Sequence, residues 1–318
     1  MQTRQIGSLE VSVVGVGCNN FGGRIDESRT REVIDAALDE GINFFDTADM
    51  YADGRSEELI GKLLGPRRGE VIIATKFGQR MGGEPGGARP EYVHKALDAS
   101  LKRLRMDYVD LYQQHVPDAN VPIGETLGAL DELVRAGKVR EIGCSNFSAE
   151  QIREAQAAAR RTRGAARFVS VQNEYSLLHR EPEEGVLQQC EREGVAFLPF
   201  FPLMSGLLTG KYRKGQPIPE NTRVAKYERY RKLLTDENLD KVEALIDYAE
   251  SQGHDILELA VSWLLAHPAV ASVIAGASSA EQIRANVGAA AWELTPANLL
   301  EIDNTLAEVG KAATRVSA

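Results

Sequence analysis

The chain has 318 residues, enough for two ordinary domains or for one large α/β barrel, which needs about 250. With 46 acidic against 37 basic residues and a net charge of −9 spread along the sequence, it offers no basic face for nucleic-acid phosphates. The opening MQTRQIGSLEVSV has no long apolar run behind a basic start, and the most apolar stretch, AVSWLLAHPAVASVIAGA, is broken by His267, Pro268 and serines, so neither a secretory signal nor a membrane anchor is expected. Cys18, Cys144 and Cys190 form no CxxC pair and leave an odd thiol, which fits a reducing, cytoplasmic setting.

After a short polar start, VSVVGVG reads as a strand and ESRTREVIDAALDEG as a helix, with Val33, Ile34, Ala37 and Leu38 at helical spacing and Gly41 as the stop. The pairing recurs as FFDTA with SEELIGKLL, VIIATKF with PEYVHKALDASLKRL, YVDLYQQH with IGETLGALDELVRAG, and EIGCSNF with SAEQIREAQAAARR. It continues as FVSVQNEYS with EEGVLQQCEREG, VAFLPFFPL with ENLDKVEALIDYAESQG, and VASVIAGAS with SAEQIRANVGAA. Eight apolar strands alternating with amphipathic helices, with no linker or composition break, predict one parallel-sheet unit over residues 1–318. Strand count and length favour a closed (β/α)8 TIM barrel over an open doubly wound sheet. Residues 208–236 are polar, basic and too long for an ordinary loop after strand seven, so they read as a lid. The tail LTPANLLEIDNTLAEVG carries a cap at Thr295, Pro296 at the first helical position and a closing Gly310, which predicts an extra helix outside the barrel.

In a barrel the C-terminal strand ends share one rim, and there the sequence places Asp46, Lys76, His115, Ser145 with Asn146, and Gln172 with Asn173. Asp46, followed five residues later by Tyr51 in a Gly-containing loop, is either loop chemistry or half of a catalytic pair. Buried Asp and Lys are rare unless paired, so Asp46 and Lys76 on neighbouring strands are expected to form an ion pair, with the loop returning Tyr51 over it. An adjacent ammonium favours the phenolate, so Lys76 would tune Tyr51 for proton transfer, and a neutral His115 would orient a carbonyl oxygen. No metal-ligand spacing, G-x-S-x-G elbow or evident nucleophile accompanies them, so a hydride-carrying cofactor would have to complete the reaction. GVGCNNFGG lacks the spacing and the acidic follower of a dinucleotide-binding turn, and GQRMGGEPGGARP reads as a flexible rim loop shaping substrate access. His94, His179, His254 and His267 lie on helices or loops without evident partners and are read as structural. Cys18 and Cys144 lie near strand ends and receive no role.

Taken together, DTADMY, ATKFG, LYQQHVPD, GCSNF, VQNEYS, GLLTGKY and VIAGASSAEQIRAN resemble the aldo-keto reductase superfamily over nearly the whole chain, and most closely its bacterial and potassium-channel-β-like branches. The resemblance implies reduction of an aldehyde or ketone, with Tyr51 as general acid, Asp46 and Lys76 as the pair that lowers its pKa, and His115 orienting the carbonyl. It further implies that Ser145, Asn146 and Gln172 bind the nicotinamide carboxamide, that Phe200 stacks on its ring, and that Leu203, Ser205, Gly206, Leu207 and Lys211 wrap the pyrophosphate. Gly276, Ser278, Gln282 and Asn286 would meet the adenosine end, at a helix start suited to phosphate, and residues 208–236 would cover the cofactor.

Phe201 stands where relatives with YSPL have a small Ser, and Gly276 and Gln282 stand where the aldose-reductase branch has Lys and Arg. NADPH is the cofactor the resemblance implies, with Ser278 and Arg284 as donors to a 2′-phosphate, and NADH remains admissible. Two further activities stay open on this scaffold: an aldose dehydrogenase using NAD(P), and a cofactor-sensing regulatory subunit. No metal is expected, and the substrate's identity and the oligomeric state are not encoded in these motifs.

Overall fold

The structure, a computed structural model, describes residues 1–83 and 85–316, and side chains as far as residue 310. It opens with a hairpin, β1 (Thr3–Ile6) and β2 (Leu9–Ser12), in place of the polar start expected from sequence. The barrel strands follow: β3 (Val14–Gly17), β4 (Phe44–Asp46), β5 (Ile72–Phe77), β6 (Val109–Gln114), β7 (Val139–Ser145), β8 (Phe168–Glu174), β9 (Ala196–Phe200) and β10 (Val273–Gly276). They pair in parallel in the order β10-β3-β4-β5-β6-β7-β8-β9. Phe197 N–H donates to Ala269 O at 2.7 Å and Ala271 N–H donates to Phe197 O at 3.0 Å, which joins the two ends and closes the barrel.

Between strands run α1 (Glu27–Asp39), α2 (Arg55–Leu64), α3 (Pro90–Leu104), α4 (Ile123–Arg135), α5 (Ala149–Ala159) and α6 (Val186–Glu193). Beyond β9 come the short α7 (Arg223–Lys226) and α8 (Glu228–Arg231), then α9 (Asp236–Ser251) and α10 (Ile256–Leu265), with α11 (Ala280–Gly288) and α12 (Pro296–Val316) after β10. The strand predicted at 11–17 is split at Val13, because Ser12 Oγ donates to Val14 O at 2.7 Å and turns the chain from the hairpin into the barrel. In the seventh unit, α10 packs against β10 and α11, whereas α9, the helix predicted there, lies mainly against α12. The reason is composition: α10 buries seven of its ten residues, Trp263 among them, while α9 is charged on its outer side. Thr295 does cap α12, accepting from Asn298 N–H at 3.2 Å. Gly310 does not close that helix, which continues to Val316: Gly310 has no left-handed φ, and Lys311, Ala312 and Ala313 are strong helix formers.

Side chains alternate along each strand, and their character changes from one end of the barrel to the other. At the N-terminal end the interior is apolar: Phe44, Ile72, Ala74, Leu111, Val169, Leu198 and Ile274 cluster with Ile6, Leu9 and Val11 of the hairpin, which plugs that mouth. Burying each of those three hairpin side chains contributes about 1.5–3 kcal/mol, enough to hold a two-stranded element with no other core. Two residues further along, or three on β8, the same inward faces carry Asp46, Lys76, Gln113 and Gln172. A register shift between β7 and β8 at Ile142/Gly143 keeps Gln172 on the inward face. The outward faces, such as Phe45, Ile73, Phe77 and Tyr112, pack under the helices. Helices α2 and α3 approach so closely that a Cβ on Gly61 would lie 2.1 Å from Leu104 O.

The histidines away from the rim do have partners, contrary to the sequence expectation. His94 lies 3.1 Å from Glu132, His179 3.7 Å from Glu181 and His254 3.1 Å from Glu258, while His267 meets Tyr175 Oη at 2.9 Å. Among the described residues no helix is long and apolar enough to cross a membrane, and no cluster of His, Cys, Asp or Glu could hold a metal ion.

Candidate active site

The C-terminal mouth of the barrel opens into a cleft of about 890 Å3. At its floor Asp46, 3 % exposed, accepts from Lys76 Nζ at 2.6 Å, Gln113 Nε2 at 3.1 Å and Gln172 Nε2 at 3.0 Å. Lys76 is fully buried and also donates to Thr47 O at 2.8 Å, so one of its three N–H groups is left for Tyr51, whose ring centroid is 5.1 Å from Nζ. Tyr51 reaches this position because the chain turns directly after it through left-handed Ala52 (φ 50°) and Asp53 (φ 52°) into α2. Across the cleft, His115 sets its ring at 82° to that of Tyr51, with centroids 6.1 Å apart.

Burial sets the protonation states here. It raises the Tyr51 phenol above its ordinary value, against the pull of the Lys76 charge. Lys76 does pull Tyr51 toward phenolate, as expected from sequence, but in the folded chain desolvation outweighs the ammonium, and a phenol that keeps its proton is a donor. Burial alone would lower Lys76, but Asp46 and Tyr51 more than offset it and hold the ammonium above its usual value. Burial, with Lys76 nearby, pushes His115 down to about 3, so its imidazole is neutral at physiological pH.

Beyond His115 the cleft wall carries Ser145, Asn146 and Gln172, then Phe200. Ser145 Oγ donates to Gln172 O at 2.7 Å, and Asn146 Nδ2 donates to His115 O at 2.9 Å, so the polar side chains are tied together. Gln172 donates one amide N–H to Asp46, which leaves its second N–H and its carbonyl oxygen as the groups it can offer. The segment after β9 folds through four left-handed residues, Phe201, Met204, Ser205 and Gly206, bringing Leu203, Ser205 and Gly206 to the cleft. Lys211 lies where a Cβ of Gly206 would be, 2.4 Å from Nζ, so only glycine lets the ammonium sit there. At the far end Gly276, Ser278, Gln282 and Asn286 line the wall, with Ser278 N–H donating to Gln282 Oε1 at 2.7 Å at the start of α11.

Two site residues named from sequence do not line the cleft. Lys76 acts from behind Asp46, and Leu207 is fully buried in the apolar core, because the turn that exposes Ser205 and Gly206 points the next side chain inward. Arg284 faces Glu40 at 3.7 Å on the outer side of α11, and the basic residue that touches Ser278 is Arg29, whose Nε donates to Ser278 O at 3.2 Å. Cys18 and Cys144 are fully buried and form no part of the rim.

Around Lys211 the structure gathers three arginines that the sequence reading left unassigned. Arg24 from the loop after β3, Lys211, and Arg223 and Arg229 from α7 and α8 all line the cleft, and among the described residues none has a carboxylate partner. Arg223 Nη2 donates to Asn20 Oδ1 at 2.9 Å, and Asn20 Nδ2 to Ala277 O at 3.0 Å, so the 208–236 segment is fastened across the cleft. Burial and the like charges of Arg24 and Arg223 lower Lys211, which marks a place short of anions. The run TRVAKYERYR was the available signal, but nothing local to it says which arginines turn inward.

The chain is 38 % identical over 304 residues to a probable voltage-gated potassium channel subunit beta of Arabidopsis thaliana, covering 91 % of each. It is 36 % identical over 312 residues to aldo-keto reductase yakc [NADP(+)] of Schizosaccharomyces pombe, covering 94 % of this chain and 90 % of that one. Its fold matches the holo form of aldo-keto reductase AKR11C1 from Bacillus halodurans with a TM-score of 0.79 at 35 % identity, over 96 % of each chain. Residues 13–307 match the Aldo/keto reductase family, and the chain belongs to that family.

Proposed function

We propose that this chain reduces aldehydes or ketones to alcohols with NADPH, Tyr51 supplying the proton. The observation that carries this reading is the convergence of Tyr51, His115 and the buried Lys76–Asp46 pair at the same end of the cleft as Gln172 and Phe200. The polar and aromatic wall fits a carboxamide-bearing ring, and the left-handed cradle at 201–206 with its unpaired cations fits a dinucleotide phosphate group. Bound reduced nicotinamide supplies the hydride. Tyr51 donates its proton to the oxygen that becomes the alcohol, Lys76 stabilises the phenolate left behind, and Asp46 holds Lys76 charged. The neutral His115 orients the carbonyl oxygen without competing for the proton.

Four cations without carboxylates in a protein of net charge −9 favour a cofactor with an extra phosphate, hence NADPH over NADH. Arg223→Ala is expected to weaken NADPH binding by roughly tenfold, less at high salt, while kcat at saturating cofactor stays within about threefold. Titration by cofactor fluorescence checks this, and an unchanged Kd would remove Arg223 from the cofactor site. Following NADPH oxidation with para-nitrobenzaldehyde tests the reading itself: rapid turnover supports it. NADPH binding without turnover would favour the second reading, a cofactor-sensing regulatory subunit, since one relative of the chain is a probable channel subunit.

A further inference from the structure

Between Asp46 and Tyr51 lies a second carboxyl that the reaction above does not use. Asp49 is 1 % exposed, does not line the cleft, and neither of its carboxyl oxygens has a hydrogen-bond partner. Its own N–H donates to Lys76 O at 3.2 Å, so it is fixed to the strand that carries the buried ammonium. Glu57, fully buried on α2, is near enough for its charge to act on Asp49, and its Oε1 accepts from Thr75 Oγ1 and its Oε2 from Arg103 Nε, both at 2.6 Å. Arg103, on α3, is thereby already paired, and Lys76 is committed to Asp46. Tyr112 on β6 is the remaining titratable neighbour, its phenol held well above the ordinary value by burial and then by Asp49 and Glu57.

The turn that follows Asp49 has little to spare. Ala52 and Asp53 sit in the left-handed region, which residues with a Cβ rarely adopt. The next residue, Gly54, packs against Arg103, whose Cδ lies 2.6 Å from where a Cβ would be. The Glu57–Arg103 pair therefore touches both the Asp49 side chain's surroundings and the turn that presents Tyr51.

We propose that Asp49 is a positioning residue for Tyr51, which it holds in place only as the neutral acid. A neutral carboxyl fits beside the Glu57 carboxylate, whereas an ionised one repels Glu57, with only the Met50 backbone N–H close enough to favour its charge and Arg103 and Lys76 already paired elsewhere. The element free to yield is the strained turn carrying Tyr51. Burial and the Glu57 charge push the Asp49 carboxyl up to about 7, which places the change in the physiological range. The sign follows: the carboxyl binds its proton more tightly in the folded chain, so stability is intact below its unfolded pKa and erodes as pH rises from there to about 7.

This inference rests on the reductase reading, and the test separates the two. With full-length protein, NADPH and para-nitrobenzaldehyde, wild-type kcat is expected to fall about tenfold per pH unit above neutrality. Asp49→Asn, neutral at every pH, is expected to lose that limb, to stay within about threefold of wild type near pH 6, and to bind NADPH unchanged. Its melting temperature should exceed that of wild type at pH 8 and match it near pH 4. A wild-type profile with no limb near neutrality, the same limb in both proteins, or a melting difference that does not vary with pH would each overturn the proposal. Should wild type show no turnover at any pH, the reductase reading fails, and the melting comparison still decides whether Asp49 is neutral in the fold.

Discussion

Tyr51→Phe is expected to lower kcat for carbonyl reduction by about a thousandfold, within the 10²–10⁴ range that a positioned general acid contributes, or about 3–5 kcal/mol of transition-state stabilisation. The substitution removes one oxygen from a partly exposed ring on the cleft wall and leaves the Asp46 network with Gln113 and Gln172 intact. Folding and NADPH affinity should therefore change little, with Kd within about twofold, because the cleft-wall groups Ser145, Asn146, Gln172 and Phe200, proposed to meet the nicotinamide, are untouched. One change behind the cleft is also expected: Tyr51 helps hold Lys76 above its ordinary value, so that support is lost in the variant. Steady-state kinetics with para-nitrobenzaldehyde and parallel cofactor titration decide the matter. A variant that keeps more than about a tenth of wild-type kcat would assign the proton to another donor.

How far the sequence reached is clearest at the strand ends. Asp46, Lys76, His115, Ser145 and Gln172 were legible because a parallel strand buried on both faces reads as apolar, so a polar residue at its end stands out. The order of those strands then placed all five on one rim. Arg24, Arg223 and Arg229 were not legible, since their position depends on the 208–236 segment folding back onto Asn20, a contact more than two hundred residues distant in the chain. The β1–β2 hairpin escaped for a similar reason: Ile6, Leu9 and Val11 alternate, but only the open barrel mouth gives them a place to be buried. The direction of the Tyr51 shift required burial, which no spacing of residues reports. Asp49 was visible as a letter in DTADMY, yet its lack of a partner appears only when Glu57 arrives from α2 with its donors already taken.

Lys76→Met should carry the largest stability effect at this site, because it leaves Asp46 as a buried carboxylate without its counter-charge. Breaking a buried ion pair by removing one partner typically costs about 3–5 kcal/mol. Gln113 and Gln172 still donate to Asp46 Oδ1, at 3.1 and 3.0 Å, so the lower end, about 3 kcal/mol, is expected. For a chain of this size that corresponds to a melting temperature lower by roughly 6 °C. Thr47 O loses its donor as well. The double variant Asp46→Asn/Lys76→Met removes both charges and keeps an acceptor for the two glutamines, so it should recover most of that stability. It should not recover turnover, since the phenolate left by proton transfer still lacks an ammonium to stabilise it. Thermal melts of wild type, both single variants and the double variant form the cycle that measures the coupling. If Lys76→Met melts within about 1 °C of wild type, the pair is not holding the floor of the cleft together. If instead the double variant regains stability and remains inactive, the pair has two separable roles: Asp46 allows the barrel to bury a lysine, and the lysine serves the proton transfer at Tyr51.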